Sequence, residues 1–466
     1  MRTRDQATKI KSLEHLLSVL TSHKNNTAHQ FVFMKAPDET MLPYRIREIS
    51  KKLHYDGIPL HLNIVLEYYA YKDLKTMIVR HKHIDIYHED LSGDITLQQL
   101  LDKKGFVFES SVLYLNYKNQ LKLMHELIPR LGKMYTGINK YITPLNSFRG
   151  ASTLDGYSPV KTDGKYSKLV IDSDPNVYDK DKTDIKSSTP CHPYIKCFDI
   201  TRHVSCIIHV DNLVKYEYDA SIKTKLILPD NVRELLDILI DQKEDLMEDI
   251  VKGKTGGIIV LATGESGLGK TLTAEVYSEI MKKPLYVVQS SQLGINVDTI
   301  ETNLEQILQR ASRWNAILMI DEADTYIYKR GSDVVQNCIV GVFIRLLEYY
   351  RGVLFMTSNR AEIIDDAIIS RLTAHIEYEY PDKDDLIKIW KILSKQFDID
   401  ITDRAIYDIA KKYANMSGRD VKNTIKMMKL VSNKTGEACS FKMFERILPF
   451  MNFGFKFKKS EVQKKS

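Results

Sequence analysis

The residues of this chain whose types and spacing could do chemistry begin with eight in a row. Gly264, Glu265, Ser266, Gly267, Leu268, Gly269, Lys270 and Thr271 match the pattern G-x-x-x-x-G-K-[ST]. Glycines let the backbone curl until successive N–H groups point at phosphate oxygens. A helix starting at the end of such a loop adds the positive end of its dipole. Lys270 is then set to reach the β- and γ-phosphates, the Thr271 hydroxyl to bind Mg²⁺, and Leu272 closes the nucleotide-binding set. A second group follows in Ile317-Leu318-Met319-Ile320-Asp321-Glu322, an apolar run ending in two carboxylates. Asp321 can hold Mg²⁺ through water, and Glu322 can polarise an attacking water as a general base. Adjacent carboxylates repel and need solvation, which makes them a poor choice for structure alone. The plain alternatives are a ligand-free glycine turn and an ordinary loop start.

These groups need a scaffold that brings distant residues to one edge, and the chain has its pattern. Continuous apolar runs recur at Ile258–Ala262, Leu285–Val288, Ala316–Ile320 and Val353–Met356, with a weaker one at His375–Tyr378. Runs of this kind are expected of strands buried on both faces. Helical patterns separate them, such as Ile300–Trp314 with Ile300, Leu304, Ile307, Leu308 and Ala311. The fold class that follows is α/β: a phosphate-loop parallel sheet covered on both faces. After Pro381 the pattern is all-helical, through Leu386–Gln396, Ala405–Tyr413, Arg419–Val431 and Phe441–Ile447, which reads as a helical lid.

From about Gly256 to Lys429 the chain resembles AAA ATPases, in particular a branch seen in fungi and phages. The segments Pro284–Val288, Ala311–Trp314 and Arg345–Gly352 carry that finer likeness. The resemblance implies that Asn359, in Thr357-Ser358-Asn359, orients water against the γ-phosphate. It implies that Arg371, in Asp365-Asp366-Ala367-Ile368-Ile369-Ser370-Arg371, is an arginine finger reaching a neighbouring subunit's site, although a second arginine common three residues on is Ala374 here. Arg419, in Met416-Ser417-Gly418-Arg419-Asp420, corresponds to an arginine that reaches the γ-phosphate from the lid. A turn, a surface salt bridge and a solvated first-turn residue are the plain readings of the three. The resemblance further implies ATP and Mg²⁺ as cofactors and a homo-hexameric ring as the assembly. Where relatives that thread polypeptides have an aromatic loop residue, this chain has Ser290-Ser291-Gln292-Leu293-Gly294-Ile295-Asn296-Val297, with no aromatic.

The N-terminal half carries no motif tied to chemistry. Residues 1–225 read as an α+β domain, with a helix over Lys9–Leu20, strand-like runs between Leu60 and Tyr87, and a helix over Leu121–Leu131. A polar loop is expected over about 147–190, then strands at Ile195–Ile200 and Ser205–Val210 turning at Thr201-Arg202-His203. The core follows at 226–380, the lid at 381–458 and a basic tail at 459–466. Cys191, His192, Cys197, His203, Cys206 and His209 are types that bind zinc, yet they form no C-x₂-C pair, and Cys206 and His209 fall on opposite strand faces. Packing is the expected role for the cysteines, and for Tyr68, Tyr69, Tyr71, Tyr349 and Tyr350.

Composition narrows the classes. The 466 residues carry 67 Lys+Arg against 61 Asp+Glu, a net charge of +6, with 43% hydrophobic residues. That charge is weak support for a nucleic-acid partner. No apolar run approaches the ~18 residues of a membrane span, and five cysteines do not make a disulfide framework. A cytoplasmic setting is expected, the host cytoplasm if the source is viral. The functional expectation is an oligomeric Mg²⁺-ATP-hydrolysing machine that remodels an unknown macromolecular client, with a protein expected as partner and nucleic acid possible but not indicated. The alternatives are an ATP-dependent assembly switch or binding module, and a nucleic-acid-associated loader.

Overall fold

The structure, a computed structural model, describes residues 9–26, 31–36, 38–53, 59–71, 76–93, 95–138, 140–144, 157–161, 167–174, 183, 187–241, 257–294, 296–360 and 364–451. The chain divides into two compact units, Met1–Tyr216 and Glu217–Ser466. The basic tail at 459–466 lies outside the described residues.

The N-terminal unit is built on two antiparallel sheets. The first contains β1 (Phe31–Lys35), β2 (Met41–Leu53), β3 (Pro59–Tyr71), β4 (Met77–Tyr87) and β5 (Phe106–Phe108), in the order β4-β3-β2-β1-β5. The second contains β6 (Met134–Gly137), β7 (Lys140–Pro144), β8 (Tyr157–Lys161), β9 (Ser167–Ile171), β10 (Tyr194–Asp199), β11 (Val204–His209) and β12 (Leu213–Lys215), in the order β12-β6-β9-β10-β11-β7-β8. Helices Leu13–Asn26 and Ser111–Leu127 bury Leu13, Leu16 and Leu20, and Tyr117, Leu121 and Met124, in one apolar core with both sheets.

Of three local expectations, two differ from this and one agrees. The stretch over 147–190 was expected to be loop, but it contains β8 and β9. Leu169, Val170 and Ile171 are buried there, a short apolar run masked by its polar surroundings. The strand-like pattern expected between Leu60 and Tyr87 falls on β3 and β4, where Arg80, His81, Lys82 and His83 continue the pairing of β4 with β3. The helix expected over Leu121–Leu131 begins ten residues earlier, where the Ser110 hydroxyl accepts the Leu113 N–H as its cap.

The C-terminal unit holds the elements that position the motifs. Its strands β13 (Ile258–Gly264), β14 (Leu285–Gln289), β15 (Ile317–Asp321), β16 (Val353–Ser358) and β17 (Ala374–Tyr378) are all parallel, in the order β14-β15-β16-β13-β17. Val260, Ala262, Met319 and Phe355 share a core with helices Asp230–Asp241 and Lys270–Met281. The opposite parity, Leu261, Leu318, Ile320 and Met356, is buried as well, so both faces are covered. Parallel strands need crossovers that return to the same side, so every strand's C-terminal end opens on one edge. β13 sits between β16 and β17, where the chain order along the sheet reverses, the position at which such sheets bind ligands.

The last helices, Lys383–Gln396, Asp403–Lys412, Gly418–Thr435 and Phe441–Ile447, enclose Trp390, Met428 and Phe444. Each begins on a polar cap, Asp382, Thr402, Ser417 or Ser440, which accepts a first-turn N–H. Among the described residues, no helix is long and apolar enough to cross a membrane.

Candidate active site

The loop after β13 is shaped by three glycines with positive φ: Gly264 at 135°, Gly267 at 90° and Gly269 at 104°. A Cβ on Gly264 would lie 2.3 Å from the Tyr378 carbonyl oxygen, so only glycine fits beside β17. A Cβ on Gly269 would meet nothing within 4 Å, so that side of the loop is open. Lys270, the first residue of the helix, is buried, and its Nζ donates to Gly264 O at 2.6 Å, Glu265 O at 2.9 Å and Asn359 Oδ1 at 2.9 Å. Burial pulls the Lys270 ammonium below its ordinary pKa, and the carboxylates of Asp321 and Asp324 oppose that only in part. Thr271 follows half-buried, Leu268 packs against the core, and Leu272 is exposed.

β15 delivers the acidic pair. The register Ile320↔Met356 sets Thr357 of β16 beside Asp321. The Thr357 hydroxyl donates to Asp321 Oδ1 at 2.6 Å and accepts the Glu322 N–H at 3.0 Å. One side chain thus fixes both members of the pair. Glu322 has φ 55°, a left-handed conformation that is costly for a residue with a Cβ. The Ser290 hydroxyl donates to the Glu322 carbonyl at 2.5 Å, and the Ser358 hydroxyl donates to Asp324. Sequence motifs assign no role to Thr357, Ser290 or Asp324. The usable signal was a hydroxyl residue at the tip of the strand next to the acidic one.

Three more residues were singled out by sequence. Asn359, just past β16, meets Lys270 through its amide oxygen across 89 positions. Arg419 reaches the phosphate loop from the lid. Its Nη1 donates to Ser266 Oγ at 2.7 Å and its backbone N–H to Gly267 O at 3.3 Å. Gly267 is pressed against the lid so closely that a Cβ would lie 2.8 Å from both Arg419 Cβ and Ser417 Oγ. Arg371 makes its contacts elsewhere: Nη1 donates to Ala367 O at 3.0 Å, and Nη2 stands 3.6 Å from Glu348 Oε2. Glu265, an x position of the loop, accepts the Tyr380 hydroxyl at 2.6 Å where β17 leads into the lid.

Residues 260–380 match the family described as ATPase family associated with various cellular activities (AAA). The chain carries an AAA ATPase domain. A protein of Methanothermobacter marburgensis, named as a homologue of a 26S proteasome regulatory subunit, is 26% identical over 175 residues, covering 36% of this chain and 47% of that relative. The ATPase family gene 2 protein of Schizosaccharomyces pombe is 27% identical over 172 residues, covering 35% of this chain and 21% of that protein. The chain therefore spans about half, or less, of the length of these relatives. Among solved structures, a chain of the E. coli MS115-1 HORMA:CdnC:Trip13 complex matches 50% of this chain and 91% of its own length, at 15% identity and a TM-score of 0.41.

In the AAA domain the segment after β14 forms a short helix, Ser290–Leu293, tethered by the Tyr326 hydroxyl to Ser290 O at 2.7 Å. Ile295, within the expected loop, lies outside the described residues. Of the Cys/His cluster in the N-terminal unit, Cys191, His192, Cys197, Cys206 and His209 are buried, and His203 is half-buried in the turn after β10. Cys197 and Cys206 face each other across β10 and β11, both fully buried. Cys191 donates its N–H to the Tyr117 hydroxyl at 2.9 Å, and burial pushes all three thiols far above their ordinary pKa. Tyr68, Tyr69, Tyr71 and Tyr350 are buried, whereas Tyr349 is exposed at the end of the helix Val334–Glu348.

Proposed function

We infer that this chain is a Mg²⁺-dependent ATP hydrolase whose site is completed by a second copy of itself, and that turnover drives the remodelling of a protein client. The observation that carries the reading is the hydrogen bond from Lys270 Nζ to Asn359 Oδ1 at 2.9 Å. It joins the phosphate loop to the tip of β16, whose Thr357 already holds the acidic pair. The residues fit the implied cofactor. The glycine loop offers backbone N–H groups, an open flank at Gly269, an ammonium, and the hard oxygens of Thr271 and Asp321 that suit Mg²⁺. When bound, Mg·ATP supplies a γ-phosphoryl group with its negative charge partly neutralised by the metal.

The chain's residues then divide the work. Gly264 to Thr271 would hold the phosphates, with the Lys270 ammonium placed to meet their charge. Thr271, and Asp321 through water, would hold the metal. Glu322 takes a proton from the attacking water, Asn359 orients that water, and Arg419 ties the lid to the loop. Arg371 neutralises developing charge in the neighbouring copy's site, a role compatible with its contacts away from its own loop. A homo-hexameric ring is the assembly we propose. The relative named for a proteasome regulatory subunit favours a protein client over a nucleic acid.

Glu322→Gln tests the reading. It should keep ATP affinity, lose turnover by about 10²–10⁴-fold, and retain a client on the protein in the presence of ATP. Loss of ATP binding, or turnover at the native rate, overturns the assignment of Glu322.

A further inference from the structure

Between the acidic pair and Arg371 lies a clamp that the sequence motifs leave unassigned. The Asp365 side chain is 5% exposed, against 49% for its partner Arg330. Its carboxylate accepts from Arg330 Nε at 2.9 Å, Nη2 at 3.2 Å and backbone N at 3.2 Å, and from the Ala367 N–H at 3.0 Å. Burial alone would raise the Asp365 pKa, but these bonds outweigh it and hold the carboxyl below its ordinary value. The backbone adds Asp365 N to Ile327 O at 2.8 Å and an antiparallel bridge between Tyr328 and Ile364. The segment leaving β15 is thereby stitched to the segment entering the helix Asp366–Ile369.

A helix of one turn has little stability of its own, so its position is set by what grips its first residues. Ala367 is held at its N–H by Asp365, and its carbonyl accepts Arg371 Nη1. Arg371 also closes on the same turn through its N–H to Ile368 O at 2.9 Å. The far side of the clamp is anchored to the sheet, by Ala323 N to Thr357 O at 2.8 Å and by the Ser358 hydroxyl on Asp324. The guanidinium–carboxylate fork is the geometry that fixes direction as well as distance.

We propose that Arg330 and Asp365 are positioning residues that aim Arg371 at the neighbouring copy's site. This rests on the reading above, in which Arg371 acts in trans. Arg330→Met should lower turnover about 10- to 100-fold, as a displaced catalytic group does, with the KM for ATP within about twofold of native. Arg330→Lys keeps the charge without the fork and should recover only part of that loss. Asp365→Asn keeps a helix cap but removes the charge, and should behave like Arg330→Met.

Mixed assemblies separate positioning from folding. Lys270→Ala chains still present Arg371, and Arg371→Ala chains still have an intact loop, so an equal mixture of the two should regain turnover. If that control stays inactive, the shared-site reading falls and this proposal falls with it. With the control active, Arg330→Met should regain turnover when mixed with Lys270→Ala chains and stay at its lowered rate with Arg371→Ala chains. The reverse pattern assigns Arg330 to its own chain's site and overturns the proposal. No gain in either mixture makes Arg330 a folding residue and overturns it equally.

Discussion

The two units use their polar side chains in opposite ways. In the N-terminal unit, Asp38, His192 and Asp199 are buried and end on internal partners. Asp38 accepts the hydroxyls of Tyr194 at 2.9 Å and Thr40 at 2.6 Å. His192 sits with Nε2 3.0 Å from Pro43 O and its ring stacked 4.4 Å from Tyr68. Asp199 caps the β10–β11 turn by accepting the N–H groups of Thr201 and Arg202. In the C-terminal unit, Lys270, Asp321, Glu322, Asn359 and Arg419 gather at one edge of the sheet, next to the open flank of Gly269. Antiparallel strands alternate their ends, so their polar residues disperse and are satisfied inside. Parallel strands present all their C-terminal ends together, so a site can assemble from residues nearly ninety positions apart.

The largest effect that could break this contrast is at Arg371. Arg371→Ala should lower ATP turnover by about 10³-fold or more while leaving ATP affinity near native. Steady-state phosphate release and an ATP titration check both, and a loss under tenfold removes Arg371 from the site.

Next comes acid. Burial, with His209, Lys82 and Arg80 nearby, pushes the His192 pKa from 6.5 to about 3. Between those values the unfolded chain holds a proton that the folded one does not. Stability from this group is therefore full above about pH 6.5 and falls by about 1.4 kcal/mol per pH unit toward pH 3. Hydrogen exchange of peptides around 190–199 should rise with acid before the fluorescence of Trp314 and Trp390, both in the C-terminal unit, changes. Simultaneous loss would contradict the contrast.

Two smaller changes sharpen it, one in each unit. Gly267→Ala puts a Cβ 2.8 Å from Arg419 Cβ at φ 90° and should cost about 1–3 kcal/mol, read as ATP affinity weakened roughly tenfold or more. Tyr194→Phe leaves the buried Asp38 one donor short and should cost the N-terminal unit about 1–3 kcal/mol in a denaturant titration, with turnover within about twofold of native.

Much of the C-terminal unit was legible in the sequence. Strands buried on both faces read as unbroken apolar runs, as at Ile317–Ile320, and the helix Val297–Arg313 buries Ile300, Leu304, Ile307, Leu308 and Ala311, the stripe its spacing predicts. The N-terminal strands were harder to read. β2 runs through Arg45, Arg47, Glu48, Lys51 and Lys52, which dilute its apolar signal, and β9 offers only the short run Leu169–Ile171 inside a polar stretch. At the site, the glycine loop and the acidic pair announce themselves locally. Thr357 does not, since its position beside Asp321 follows from the β15–β16 register, which no local pattern encodes. The Arg330–Asp365 clamp is invisible for the same reason, being two charged residues 35 positions apart.

The central claim is a catalytic site shared between copies of the chain, and the most direct measurement is ATP turnover per chain as a function of protein concentration. The account predicts a rate per chain that climbs with concentration to a plateau as copies assemble, and no such rise for Arg371→Ala. A rate per chain that is constant from the most dilute sample upward would contradict it.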